Sequence, residues 1–567
     1  MKNIKNKFLI NSIFLLAVFI LAVCVWYSPA LFKGYPAYTM TINALMGRNV
    51  HLTGLYSVEN DFNVFLASDL IKEQGHISIY GNKLTSLLYG KIFTLIGLSG
   101  VDNLVLLSVF IHALTLLIFT GVVLYLFRLK TAVIFSLIYI FLPFNWYLPY
   151  HLGTYEFVLF FLALFFLFYF YGIRQKNGYI YLIMAGASLA LSCLSREALL
   201  LIVPFLLLFL WFEKQKKQLF YIFIPFIIIF AIFWLPNITH NSYLQLFTTH
   251  VSEENKSADF GFYGHVYPDP YTYHFKQEEF LTNLKNKIDN NEMVLMAEID
   301  RIRELKNMGI ADISLFDRIR TGLMFSSRHV FRFASLEDIG GPFILLLILL
   351  GLYSLRQKNR YLYQFFVYWI FSTVFLLAFV VLAGRNHLMD FGWAIALLIS
   401  LGLMFLAKLI SDYFNLEKKK QVFLYIALLF IILYHLVLVN HVAWSRVYDD
   451  SSNLMVQSYS QEVKKMDIAD KDVIAVGLDS GAIYNLNYIT NKSMVIFRPE
   501  TIKNLLEENK LDWAFEQFGI KYILGYSDEL SEEIINQADV VNVASDSLEP
   551  VIPEMSRNKG WLMNLVN

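Results

Sequence analysis

The chain of 567 residues holds 46 Lys+Arg against 46 Asp+Glu, and 57% of its residues are hydrophobic. Soluble domains run at about 45–50% apolar, so this excess, with a mean hydropathy of +0.51, points to a lipid environment. Balanced charge gives no sign of a nucleic-acid partner, and none is expected. The two cysteines, Cys24 and Cys193, sit inside apolar runs and exclude a disulfide framework or a Cys-based metal site.

The basic start Met1–Lys7 precedes an apolar run, Phe8–Trp26, long enough to cross about 30 Å of hydrocarbon. No small-x-small cleavage site follows it, so it reads as a retained first helix rather than a signal peptide. Further spans are predicted at Leu104–Phe127, Ala132–Leu148, Tyr155–Tyr171, Tyr179–Leu194, Leu199–Phe212 and Leu219–Leu235. Four more follow at Pro342–Leu355, Leu362–Ala383, Leu388–Ala407 and Val422–Asn440, about eleven in all. Alternation from a cytoplasmic amino terminus puts Arg128/Lys130, Arg174/Lys176, Lys214/Lys216/Lys217, Arg356/Lys358/Arg360 and Lys408/Lys418/Lys419/Lys420 inside. The short outside turns then keep only Arg196 and Arg385, as the preference of short basic loops for the cytoplasm requires.

The expected architecture is a mainly α, polytopic helical membrane domain over 1–440 with a small α/β domain, 441–567, outside the cytoplasm. Two long outside loops, 27–103 and 236–341, interrupt the bundle, and loops of that length are usually functional. The tail alternates short apolar strands (Asp472–Gly477, Met494–Phe497, Lys521–Tyr526, Val540–Ser545) with helical stretches at Thr501–Lys510 and Leu530–Asn536. That alternation predicts a mainly parallel sheet. Its GLDSG stretch, Gly477–Gly481, does not match the dinucleotide fingerprint G-x-G-x-x-G.

Polar groups that could carry chemistry gather on the predicted outside face. Glu59 and Asp61 head a stretch, Asp61–Gly75, whose spacing suits an amphipathic helix lying on the membrane surface. Lys83–Gly97, broken by Lys91 and glycines, reads as a second interfacial helix. Arg328 and Arg332 precede a membrane re-entry. They read either as a solvated basic helix end or as ligands for an anionic lipid headgroup. His151 and Glu156 flank an outside turn and are candidates to line a cavity; a divalent metal could be held by Glu59, Asp61 and His51.

The chain resembles the GT-C superfamily of membrane glycosyltransferases, nearest in pattern to bacterial protein mannosyltransferase-like and aminoarabinose-transferase-like enzymes. The likeness rests on Glu59, Asp61, Ala67, Leu70, Ile71, Gly75, Lys83, Tyr89 and Gly97, with support from Gly178–Pro204, Ala383–Leu398 and Phe518–Tyr526. Two departures stand out: Asn60 separates Glu59 from Asp61 where the family often has adjacent acids, and Leu84-Thr85 replace the prolines after Lys83. The resemblance implies transfer of a sugar from a polyprenyl-phosphate donor, a membrane lipid, to a glycan, lipid or protein acceptor outside the cytoplasm. Either Asp61 or Glu59 would act as general base for an inverting attack. Cations among Arg385, His387, Lys83, Arg196, Arg328 and Arg332 would bind the donor phosphate. Lys-, Asn- and Ile-rich composition leans to a bacterial inner or plasma membrane. Polysaccharide polymerases or ligases share the span number and large outside loop; from a different class the chain could be a non-enzymatic assembly factor or a transporter, and a transporter should carry ionisable residues near mid-membrane, where only His112 and His435 are obvious.

Overall fold

In the computed structural model the described residues are 2–33, 42–53, 64–65, 83–96, 101–150, 155–175, 177–196, 199–200, 203–213, 215–238, 340–376, 392–448, 451–466, 468–469, 472–477, 480–497, 499–507, 509–537 and 542–544. The helices of the first part are α1 (Lys2–Lys33), α2 (Ile42–Thr53), α3 (Lys83–Ile96), α4 (Val101–Leu126), α5 (Leu129–Phe141) and α6 (Pro143–Tyr147). They are followed by α7 (Tyr155–Arg174), α8 (Tyr179–Ser195), α9 (Val203–Phe212), α10 (Lys216–Ile238), α11 (Pro342–Lys358), α12 (Arg360–Leu376), α13 (Gly392–Tyr413) and α14 (Lys418–Tyr448). Among the described residues each predicted span lies at least partly on helix. Five segments, Leu9–Ser28, Leu104–Leu126, Tyr155–Arg174, Gly392–Tyr413 and Lys418–Asn440, are long and apolar enough to cross a membrane. Leu129–Phe141, Tyr179–Ser195, Val203–Phe212 and Lys217–Phe233 are shorter apolar helices. Large apolar side chains such as Phe423, Ile426 and Phe430 stay exposed along α14, where lipid rather than water suits them. The protein is an integral membrane protein.

The predicted span Ala132–Leu148 is not one helix. Pro143 disfavours helical backbone in the residue before it, and Leu142 is extended (φ −63°, ψ 131°). Thirteen residues make α5 about 20 Å long, short of the hydrocarbon thickness. Its last four carbonyls therefore end among packed side chains and need donors there. Each has one: Leu142 N–H donates to Ile138 O (2.9 Å) and Asn145 Nδ2 to Tyr139 O (2.6 Å). Trp26 of α1 and Trp146 of α6 both donate to Ile140 O (3.0 and 2.8 Å), and Asn440 of α14 donates to Phe141 O (2.7 Å).

Helices α11 and α13 meet through two glycines. A Cβ on Gly351 would come within 1.9 Å of Leu398 O, and one on Gly402 within 1.9 Å of Leu347 O. Backbones this close gain van der Waals contact that lipid cannot replace. Beside them, Trp393 stacks on Phe119 (5.1 Å) and packs against Phe166 (4.4 Å), joining α13 to α4 and α7.

Beyond α14 come α15 (Ser451–Lys465), β2 (Val473–Val476), α16 (Ser480–Thr490), β3 (Ser493–Ile496), α17 (Pro499–Glu507), α18 (Leu511–Phe518), β4 (Ile520–Leu524), α19 (Asp528–Gln537) and β5 (Asn542–Ala544). Strands β2–β5 are parallel in the order β3-β2-β4-β5. The sheet has one more member, β1 (Val64–Phe65), which comes from the stretch between α2 and α3 and pairs antiparallel with β3, Val64 opposite Val495. The predicted surface helix Asp61–Gly75 is thus interrupted: these two residues complete a sheet edge some 430 positions away, a pairing that local periodicity cannot reveal.

Alternation along the strands divides the sheet's faces, with one irregularity in β4, where Val473 faces Ile520 but Ile474 faces Tyr522. Ile474, Val476, Met494, Tyr522 and Leu524 belong to the same hydrophobic cluster as the helical bundle, through α15 and α16. Val473, Ala475, Val495, Ile520 and Ile523 form a separate core under α17, α18 and α19.

Two substitutions test these joints by thermal or denaturant unfolding of the detergent-solubilised protein. Gly402→Val is expected to destabilise the protein by about 3 kcal/mol through overpacking against α11. Asn440→Leu, which leaves Phe141 O without that donor, is expected to cost about 1–3 kcal/mol.

Candidate functional site

Successive bundle helices run in opposite directions, so the starts of α4 and α7 and the end of α8 share one end of the bundle. Side-chain contacts confirm the grouping. Thr85, in the first turn of α3, donates to Ser195 O at the end of α8 (3.3 Å). Ser108 of α4 donates to Glu156 Oε1 in the first turn of α7 (3.0 Å). The Arg196 guanidinium, at the C-cap of α8, lies over the ring of Tyr155 (4.2 Å to the centroid). Local electrostatics favour these placements: an acid belongs at a helix start and a cation at a helix end. Both are buried, Glu156 fully and Arg196 at 8% exposure.

Tyr89 of α3 lies between this cluster and the tail. Its ring packs edge-on to Phe157 (5.2 Å). Burial, then the nearby Glu156 and Tyr488, raise its phenol well above the usual value, so it is a neutral hydroxyl at all physiological pH. Next to it, Arg48 of α2 donates to both the backbone O and Oδ1 of Asn487 on α16 (3.2 Å each) and lies over the Tyr488 ring (5.7 Å). Only 3% of Arg48 is exposed. Burial lowers its pKa to about 10, which still leaves it charged near neutrality, and burial pushes Tyr488 up to about 12. The bundle end and the tail domain are therefore joined through a buried, charge-assisted contact.

Of the predicted site residues, the structure brings together Arg196, Glu156 and the helix that begins at Lys83, whose side chain is not among those described. Glu59, Asp61, His151, Arg328, Arg332, Arg385 and His387 lie outside the described residues. Among the described residues no three His, Cys, Asp or Glu side chains converge as a metal would require. His51 Nδ1 faces Thr94 Oγ1 on α3 (3.2 Å). Sequence reading missed Arg48 altogether. A lone arginine in a polar loop carries no periodic signal, and only its partner at 487 reveals it.

Parallel sheets usually bind ligands beyond the carboxyl ends of adjacent strands, here β2 and β4. Tyr526 fills that position: its ring packs onto Gly477, whose Cβ would come within 2.9 Å of Tyr526 Cε1. The Tyr526 hydroxyl donates to Phe497 O (2.7 Å).

No family model matches the chain, and no curated protein matches it. Its fold does match solved structures of the oligosaccharyltransferase of Archaeoglobus fulgidus. One of these, tethered to an acceptor peptide containing the NVT sequon, superposes with a TM-score of 0.50 at 15% identity, over 90% of this chain and 68% of that one. Another, in complex with Zn and sulfate, gives 0.50 at 14% identity over 89% and 67%. The apo form gives 0.50 at 12% identity over 90% and 69%. The chain shares the fold of these solved structures over about nine-tenths of its length.

The Glu156–Ser108 contact predicts a graded response. Glu156→Gln keeps an acceptor for Ser108 and should shift unfolding by less than about 1 kcal/mol, whereas Glu156→Leu strands a buried hydroxyl and should cost about 1–3 kcal/mol. Unfolding of the two variants against the parent protein measures the difference.

Proposed function

We propose that the protein is an integral membrane glycosyltransferase of the GT-C type. It would move a sugar from a polyprenyl-phosphate-linked donor to a glycan, lipid or protein acceptor outside the cytoplasm, with inversion. The observation that carries this reading is the fold shared with an oligosaccharyltransferase over nine-tenths of the chain. The mannosyltransferase-like or aminoarabinose-transferase-like subtype rests on the sequence resemblance alone.

The arrangement of described residues supports the same reading. A donor with an apolar tail and an anionic headgroup calls for cations where the bundle meets its outer loops, and Arg196 is at such an end. In the proposed step the acceptor hydroxyl attacks the anomeric carbon as the bond to phosphate oxygen breaks. Asp61 or Glu59 takes the hydroxyl proton, and the departing phosphate keeps the electron pair. Its growing charge is offset by cations drawn from Arg196, Lys83, Arg385, His387, Arg328 and Arg332. His151 and Glu156 would line the cavity, with Glu156 acting on shape rather than on the proton. A divalent cation near Glu59, Asp61 and His51 is compatible with these steps. The amino terminus would be cytoplasmic, residues 441–567 extracytoplasmic, and the membrane a bacterial plasma membrane.

Turnover of a polyprenyl-phosphate sugar by the purified protein separates the roles. Asp61→Asn or Glu59→Gln should lower turnover by about 10²–10⁴-fold while the protein stays folded. Full activity in both variants would remove the proposed base. Arg196→Ala should raise the donor KM about tenfold, and Arg196→Lys less, because a lysine keeps the charge without the planar stack on Tyr155.

A further inference from the structure

Helices α11 and α13 run side by side in the same direction. A Cβ on Gly351 would meet Leu398 O, and one on Gly402 would meet Leu347 O and the Gly351 nitrogen (3.0 Å), so 347 and 351 match 398 and 402. Continued by two turns, that register brings Lys358, the last residue of α11, beside Lys408 of α13. The two ammonium groups sense each other: partial desolvation, then the Lys408 charge, lowers the Lys358 pKa. Among the described residues neither lysine makes an ion pair, and Asp412, one turn on from Lys408, lies near Tyr425 of α14. Two other cations of this end do have partners: Lys130 sits over the Tyr425 ring (3.1 Å), and Arg174 donates to Tyr125 O (3.2 Å). The lysine pair is at the end of the bundle opposite Glu156 and Arg196. Gly340 O, just before α11, meets His435 Nε2 (2.6 Å), close to Asn440 at the end of α5, so α11 finishes where α5 begins. Next to the lysines Tyr353 of α11 packs edge-on to Phe405 of α13 (5.4 Å), and Leu349, Tyr353 and Leu409 are exposed. Phe405, Lys408 and Leu409 share one side of α13 by helix spacing.

We propose that this end of the α11–α13 pair binds one anionic phospholipid, with its phosphate between Lys358 and Lys408 and an acyl chain along Leu349, Tyr353, Phe405 and Leu409. Two like charges brought together repel, and an anion between them turns that repulsion into attraction. The glycine crossing keeps the backbones in contact, so the lysine stems can swing but their helices cannot part. Basic sites between helices at a membrane surface are suited to lipid headgroups, and lysine stems extend along apolar surface to reach them. A soluble anion would meet the ammonium groups alone, whereas a lipid also covers the exposed tyrosine and leucines beside them. The site is remote from the proposed donor site and holds whether or not the protein transfers sugar.

Native mass spectrometry of the full-length protein in detergent, titrated with phosphatidylglycerol, phosphatidylcholine or inorganic phosphate, tests the site. Phosphatidylglycerol should bind about fivefold or more tightly than phosphatidylcholine, which has the same phosphate but no net charge, and excess inorganic phosphate should not displace it. Lys358→Gln and Lys408→Gln should each weaken phosphatidylglycerol binding about fivefold, the contribution of one basic group beside an anionic lipid. Lys358→Arg and Lys408→Arg, which keep the charge, should bind within about twofold of the parent. Lys419→Gln, at the exposed start of α14, should leave binding unchanged. Equal affinity for the two lipids, an unaffected Lys358→Gln/Lys408→Gln double variant, or an equal loss in Lys419→Gln overturns the site. Displacement by inorganic phosphate overturns the lipid as its occupant. Should the glutamine variants fail to fold, a phosphatidylglycerol with a photoreactive headgroup decides the matter on the parent protein. It should label peptides covering 349–358 and 405–413, and labelling confined to other segments would contradict the proposal.

Discussion

A buried guanidinium holds the two ends of this chain together. Arg48 lies on α2 near the start of the chain and Asn487 on α16 near its end, and β1, also from the first part, pairs with β3 just after α16. Burying a charge is costly unless hydrogen bonds meet it, and here a backbone carbonyl, a side-chain carbonyl and an aromatic face do so. The consequence is architectural. The tail cannot be read as an appended module, because one face of its sheet shares a hydrophobic cluster with the bundle and its edge strand is borrowed from residues 64–65.

The same accounting governs the membrane part. A helix as short as α5 ends before it can reach water, so its carbonyls recruit two tryptophans and two asparagines from three other helices, α1, α6 and α14. Those four side chains place α1, α6 and α14 around one point. Glycines at 351 and 402 do for α11 and α13 what apolar burial does in water, by letting backbones touch. A bundle tied in this way offers a rigid end on which Glu156, Arg196 and the start of α3 are held together.

Much of the bundle could be read from the chain itself, because long apolar runs of the right length carry their own evidence. Helix α4, predicted from Leu104, begins at Val101, and α14 contains the predicted Val422–Asn440. The tail's strands were equally plain, since VIAV and IKYIL are short β-branched runs between turn residues. What stayed hidden depended on partners distant in sequence. Val64–Phe65 looked helical until β3 supplied an edge, and Pro143 split a stretch that hydropathy alone would join. Helix α16 is weakly signalled in the sequence, because its Ser, Gly and Asn residues have low helix propensity, yet its Asn487 is what Arg48 needs. Of the predicted site, Arg196 and Glu156 could be found as charges at the ends of apolar helices, and both lie at the same end of the bundle. Arg48 could not, because nothing local distinguishes it.

The account stands on transfer of sugar from a lipid phosphate, and the most direct measurement is donor consumption by the purified, full-length protein in lipid nanodiscs. A panel of polyprenyl-phosphate sugars, labelled in the sugar and supplied with envelope extract as acceptor, would be followed by loss of label from the lipid and by the anomeric configuration of the product. The account predicts loss of label from at least one donor, with inversion at the anomeric carbon. Every donor remaining intact beside protein that still shows a cooperative melting transition, or a product with retained configuration, would contradict it.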